Sequence, residues 1–392
     1  MPRTPLSVYR SALSAKIKRA LGLNADPYPP RPYGTTLSPS QGSNAGFDAC
    51  RAELSFDAST DTDPAAWRMR AHAKLVEITG YHIFRDTPVV TASLPTEPVG
   101  TGPGDPVVKQ SVYLKVRPDT DLPVHLIRRR DISGPLPVFL HLAGSTSGVH
   151  LGWGATRVPI DHQRLSIGAD MARQAARRGY LAVAIEQAGY GERGERHLRK
   201  KSQNRTIDVA NHLLLQGRTL MGDGASDVSS AIDWLLSQDA PVSVDPSRLF
   251  LFGHSAGGTL AQYAAALDDR IQGTLASGSV GPIRETIGMR GAGGGDGIVP
   301  GLLKWLDTKD LIGLIAPRRF VGLSGSQDHI YPFSGVDKVV TGAVPIYDAY
   351  GTPDGIHAVA ANGPHRYYSK ESWDAWEAFI DPRPVLPVPR EA

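Results

Sequence analysis

The stretch Arg248–Ala261 constrains this chain more than any other. Leu249, Phe250, Leu251 and Phe252 form an apolar run that reads as a buried parallel strand. The run breaks into Gly253-His254-Ser255-Ala256-Gly257, after which Leu260, Tyr263, Ala264 and Leu267 follow with helical spacing. A strand that turns into a helix within G-x-S-x-G holds its central serine in strained backbone geometry. Residues two before and two after it must lack bulk, because strand and helix nearly touch. Ser255 then stands at the carboxyl end of a sheet and at a helix N-terminus, where free N–H groups and the dipole favour negative charge. Its expected role is nucleophile.

An activated serine needs a base, an acid that orients the base, and donors for the developing oxyanion. On a turn of this type the acid follows the nucleophile and the histidine comes last. Asp328 lies in Gly325-Ser-Gln-Asp-His-Ile-Tyr-Pro332, directly after an expected strand, and is the expected acid. Its rivals are Asp296, in a glycine run, and Glu285; neither follows a strand end as neatly. His365, in Asn362-Gly-Pro-His-Arg366 between the last strand and the last helix, is the expected base, with His357 as its rival. His254 and His329 are expected to support the reacting groups rather than to react. The oxyanion donors are expected to be the Ala256 N–H and a second N–H from Gly144 or Ser145, which follow the buried run Pro137–Leu142.

Around these residues strands and helices alternate. Strands are expected at Ser111–Val116, Val124–Ile127, 137–142, 181–186, 271–276, 319–323 and near 356–361. Helices are expected at 168–178, within 206–237, near 335–343, and in the closing stretch carrying Trp373, Trp376 and Ile380. Such alternation builds an α/β fold, a mostly parallel sheet with helices on both faces. Ahead of it, Asp63-Pro64 starts a helix that stops near Gly80, whereas 24–48 and 86–106 read as irregular. The expected division is a helical, loop-rich N-terminal extension over 1–110, serving as flank or lid, and a catalytic domain over 111–381.

Composition narrows the function classes. A net charge of +3 in 392 residues is too small for a nucleic-acid surface. Cys50 is the sole cysteine, so no internal disulfide framework exists. No stretch approaches a membrane span, and the basic N-terminus lacks the apolar core of a secretory signal, which points to the cytoplasm. Apolar spacing over Leu6, Val8, Leu13, Ile17 and Leu21 predicts an amphipathic helix packed on the body of the protein. Gly291–Gly297 fits neither a dinucleotide fingerprint nor a phosphate loop, and no H-E-x-x-H pair occurs. Neither a cofactor nor a metal is implied.

Several longer pieces accompany the Ser255 turn: Ala172–Tyr180, Gln187-Ala-Gly-Tyr-Gly-Glu-Arg193, Gln216–Gly222 with Asp227, Ala265–Arg270, and Leu314–Arg319 leading to Asp328. In these the chain resembles the α/β-hydrolase superfamily over roughly 63–380. Within it the similarity is to acetyl xylan esterase-like hydrolases, a group related to dienelactone hydrolases. The resemblance implies an α/β-hydrolase fold with Ser255, Asp328 and His365 as nucleophile, acid and base. Two departures stand out. The His-Gly pair that relatives often carry after the first buried strand is Ala143-Gly144 here, and the nucleophile is serine rather than the cysteine of dienelactone hydrolases proper. The expectation is therefore a carboxylic-ester hydrolase acting on a small or medium ester, an acetyl ester among the candidates, with that small molecule as its partner. Homo-oligomer formation stays open. Amide or C–C bond hydrolysis on the same fold, and a non-catalytic binding protein, are the alternatives.

Overall fold

The computed structural model describes residues 33–81, 87–118, 120–204, 206–288 and 297–383. The chain divides into two compact units, 1–49 and 50–392. Of the first, the main described element is the helix Pro39–Ala49, rich in Ser, Gly and Asn and without a buried residue. The predicted amphipathic helix over Leu6–Leu21 and Asp296 lie outside the described residues.

The second unit is built on a ten-stranded sheet. Its strands are β1 (Val89–Ser93), β2 (Glu97–Pro98), β3 (Val107–Arg117), β4 (Thr120–Arg129), β5 (Leu136–Leu142), β6 (Leu181–Ile185), β7 (Val244–His254), β8 (Gly273–Ser277), β9 (Arg319–Gly325) and β10 (Ile356–Ala361). They run in the order β1-β3-β4-β6-β5-β7-β8-β9-β10, with β2 beside β3. Pairing is antiparallel from β1 to β6 and parallel from β6 through β10.

Side chains alternate across the sheet, and the two faces fill two cores. Val138, Leu140 and Leu142 of β5 and Leu249 and Leu251 of β7 face one core, with Trp67 and Leu260. Phe139, Phe250 and Phe252 face the other, where Trp373 and Trp376 cover them. Phe139 lies 4.8 Å from Trp376 and 5.4 Å from Trp373, ring to ring. The closing helix Ser369–Ala375 is thus fixed to the sheet a few residues after His365.

Two expectations change. The boundary drawn at residue 110 falls inside β3, and residues 50–110 belong to the same unit as the sheet. The stretch 86–106, read as loop, carries β1 and β2. Both are edge strands with every residue exposed, so no apolar alternation marks them. The helix Pro64–Thr79 forms as expected: the Asp63 carboxylate accepts from the Ala65 and Ala66 N–H groups, and Gly80 closes it at φ 65°. The helical stretch within 206–237 is two helices, Ile207–Leu215 and Leu220–Leu235, parted by Gly217 at φ 70°. Among the described residues no helix is long and apolar enough to cross a membrane.

Candidate active site

Ser255 directly follows β7 and caps the helix Ala256–Leu267 with φ 51° and ψ −120°. It is the sole non-glycine residue at positive φ among the described residues, a conformation that surrounding structure must impose. The imposition is visible in its neighbours. A Cβ on Gly253 would sit 2.2 Å from the Gly257 carbonyl oxygen, and one on Gly257 would sit 2.2 Å from that of Leu142. Only glycine fits either place. The Ser255 N–H donates to the Ser277 carbonyl at 2.8 Å, which locks the corner onto β8.

Two loops at the same sheet edge bring the partners in. Asp328 follows β9 and His365 follows β10, and these loops are sewn together: Ser326 N–H donates to the Ala361 carbonyl at 2.7 Å and Gln327 N–H to that of Gly363 at 2.9 Å. In consequence His365 Nδ1 lies 2.7 Å from Asp328 Oδ2, and its Nε2 lies 3.0 Å from Ser255 Oγ. The other Asp328 oxygen accepts from the Ile330 and Tyr331 N–H groups at 2.8 and 2.9 Å. Burial pushes the Asp328 carboxyl up, but the His365 hydrogen bond and these N–H groups outweigh it and hold it below its ordinary value.

The rivals are elsewhere. His357 Nε2 bonds the Asp354 carbonyl at 2.9 Å while its ring stacks on Phe379. Glu285 pairs with Lys338. His254 is buried against the site, its ring 5.4 Å from that of His365 and 3.9 Å from that of Tyr367. Burial, then the neighbouring His365, depress its pKa to about 3, so it is neutral near pH 7. His329 is exposed and stands apart from this group.

The two candidates for the second oxyanion donor differ. The Gly144 N–H donates to the Tyr367 hydroxyl at 3.2 Å and is therefore engaged. The N–H groups of Ser145 and Ala256 have no such partner among the described residues, and both residues line the cavity in front of Ser255. Gly144 has another task. A Cβ there would come within 3.1–3.2 Å of His254 and Ser255, so glycine lets this loop close on the serine. The loop is held from its far side by Glu186, whose carboxylate accepts from Val149 N–H at 3.1 Å and Glu192 N–H at 3.3 Å. Gln187 Nε2 donates to the Ala143 carbonyl at 2.6 Å and the Tyr190 hydroxyl to Ser145 Oγ at 3.1 Å. Reasoning from sequence did not single out Tyr367 or Glu186. Gln187–Arg193 stood out only as part of the resemblance.

The cavity holds about 720 Å³. Ile160, Ile167, Leu260 and Ile330 give it apolar walls, and Arg164 and Arg366 add charge. Among the described residues no group of His, Cys, Asp and Glu is arranged to hold a metal ion.

Comparison with known proteins agrees with this architecture. A family model described as the alpha/beta hydrolase fold matches residues 221–280, which contain the Ser255 turn. "Putative hydrolase YtaP" of Bacillus subtilis (strain 168) is 26% identical over 260 residues, 66% of this chain and 82% of that protein. Among solved structures, a "putative acetyl xylan esterase" from Bacteroides fragilis NCTC 9343 superposes with a TM-score of 0.66 at 16% identity, covering 88% of this chain and 86% of the other. A glucuronoyl esterase from Solibacter usitatus gives 0.60 at 17% identity, covering 83% and 93%. The chain has the α/β-hydrolase fold.

Proposed function

We propose that this chain is a serine carboxylic-ester hydrolase that works through an acyl-enzyme on Ser255. The observation that carries the reading is the continuous relay from Asp328 through His365 to Ser255, with contacts of 2.7 and 3.0 Å. His365 Nε2 takes the Ser255 proton as Oγ attacks the ester carbonyl, and Asp328 keeps the Nδ1–H tautomer facing itself. The Ala256 and Ser145 N–H groups stabilise the tetrahedral oxyanion; each such donor contributes ~3 kcal/mol of barrier lowering. His365 then protonates the leaving alcohol. Water, activated by the same imidazole, releases the acid from Ser255.

Esters are favoured over amides by the neighbours in structure, which include a "putative acetyl xylan esterase" and glucuronoyl esterases by name. A cavity of about 720 Å³ takes far more than an acetyl group, so the substrate extends beyond the scissile ester. A cytoplasmic setting belongs to the same proposal: Cys50, the sole cysteine, is unpaired. Parallel assays on matched aryl esters and anilides test the reaction class. Turnover of the esters with anilides slower by orders of magnitude supports it; preferential anilide cleavage makes the protein an amidase instead.

A further inference from the structure

The described wall of the cavity in front of Ser255 carries charge of one sign. Among the described residues that line it, Arg164 and Arg366 are cationic, and neither an aspartate nor a glutamate is present. The triad acid Asp328 does not reach this surface, since its carboxylate is used by His365, Ile330 and Tyr331.

Arg164 is ion-paired with Asp161 and Arg366 is hydrogen-bonded to Tyr368, yet neither guanidinium hydrogen-bonds a carboxylate among the described residues. Arg164 lies on the short helix Ile160–Leu165, and its nearest carboxylate oxygen is Asp161 Oδ1 at 3.5 Å. That fully buried carboxylate directs its hydrogen bonds elsewhere. It accepts from Ser147 Oγ at 2.5 Å and from the Arg157 and Val158 N–H groups at 2.9 and 3.0 Å, and His150 Nε2 lies 3.0 Å away. Asp161 thus ties the helix to the loop 147–158 and leaves the Arg164 guanidinium, about 28% exposed, to the cavity. Arg366 directly follows His365, and its guanidinium lies over the Tyr368 ring at 5.0 Å. No ion pair joins it to an acid among the described residues. The Tyr368 hydroxyl accepts one hydrogen bond from this guanidinium, and the stacking pre-orients the remaining N–H donors.

A guanidinium with N–H donors open to a partly apolar cavity, whose described lining holds no carboxylate, is a receptor for an anion, and its fork matches a carboxylate. We propose that the preferred ester carries a second, free carboxylate or equivalent anionic group, held by Arg164 and Arg366 while the ester carbonyl lies at Ser255. This rests on the ester-hydrolase reading above and specifies its substrate class: the monoester of a dicarboxylic acid, or the acyl ester of a hydroxy acid.

Two matched pairs of substrates test it, with acid release followed by titration at constant pH. Monoethyl adipate against ethyl hexanoate probes an anion on the acyl side, and 4-acetoxybenzoate against 4-acetoxytoluene probes the alcohol side. The proposal expects a kcat/KM ratio of anionic over neutral ester of roughly tenfold or more in one pair, carried mainly by KM and reduced by added salt. Arg164→Gln and Arg366→Gln should each lower that ratio, and Arg164→Glu should bring it below one. A ratio near one in both pairs, with neutral esters still turned over, overturns the anion site and leaves ester hydrolysis standing. A ratio unmoved by all three substitutions overturns it equally. Absence of turnover for all four esters by the folded protein counts against the ester-hydrolase reading itself.

Discussion

The Gly144 N–H donates to the Tyr367 hydroxyl at 3.2 Å, two residues beyond His365, and thereby couples the loop after β5 to the loop that carries His365. With Gly144 engaged, the next N–H, that of the cavity-lining Ser145, is left without a partner among the described residues. Removing the hydroxyl orphans a buried N–H and releases the loop that presents Ser145. Tyr367→Phe is expected to lower kcat on a small neutral ester by about tenfold with little change in KM. Steady-state kinetics with a melting curve check this, because a purely structural effect would lower the melting temperature and leave kcat per folded molecule unchanged.

Asp328 contacts His365, which in turn contacts Ser255, so in the proposed mechanism the carboxylate acts on the serine through the imidazole. Asp328→Asn keeps the size and can keep the Ile330 and Tyr331 hydrogen bonds, but it presents a donor or a weaker acceptor to Nδ1. The imidazole then favours the wrong tautomer, and kcat should fall by roughly 10⁴-fold. Comparing kcat of this variant with that of His365→Ala shows whether the two residues work as one unit: the double variant should be little worse than His365→Ala alone.

Gly257 is packed against backbone rather than against a side chain that can move. A Cβ there meets the Leu142 and Ala143 carbonyl oxygens at 2.2 and 2.4 Å. Gly257→Ala should therefore destabilise the fold by about 1–3 kcal/mol, and forcing the helix away from β5 should displace Ser255. Denaturant melts report the first effect. Loss of ester turnover larger than the loss of folded protein reports the second.

Glu186 supplies a pH dependence with a definite sign. Burial dominates and raises its pKa to about 7, against the pull of the Val149 and Glu192 N–H groups and of Arg193. Between its unfolded value near 4.5 and about 7, the folded protein binds more protons than the unfolded chain, so this group's contribution falls as pH rises through that window. The buried histidines His125, His141 and His254 have depressed pKa values and act in the opposite sense, gaining stability as pH rises toward 6.5. The informative quantity is thus a difference. Stability of Glu186→Gln minus that of the wild type should increase between pH 4.5 and 7 by on the order of 3 kcal/mol. Urea titrations of both proteins across that range measure it, and a flat difference contradicts the assignment.

How much of this was legible beforehand depended on whether a feature is local. The Ser255 corner announces itself because the apolar run Leu249–Phe252 and the flanking glycines are contiguous, and the geometry at Gly253 and Gly257 follows from them. The helix Pro64–Thr79 is equally local, with its cap at Asp63 and its stop at Gly80. Asp328 and His365 could be chosen because each follows a strand, and the strand order does the rest. By contrast β1 has no buried residue and leaves no periodic trace, and the helix Pro39–Ala49 has none either. The pairing of Gly144 with Tyr367, and the clamp that Glu186 places on Val149, depend on the register of loops 223 and 37 residues apart. Residue type at those positions says nothing of it.

The central claim is that the His365 imidazole makes the Ser255 hydroxyl nucleophilic near neutral pH. Reaction with a fluorophosphonate probe, located by peptide mass spectrometry, tests it most directly. The account predicts a single adduct on Ser255, abolished by Ser255→Ala and slowed by orders of magnitude in His365→Ala, with both variants folded. An unlabelled wild-type protein, or labelling that persists at the same rate without His365, would contradict it.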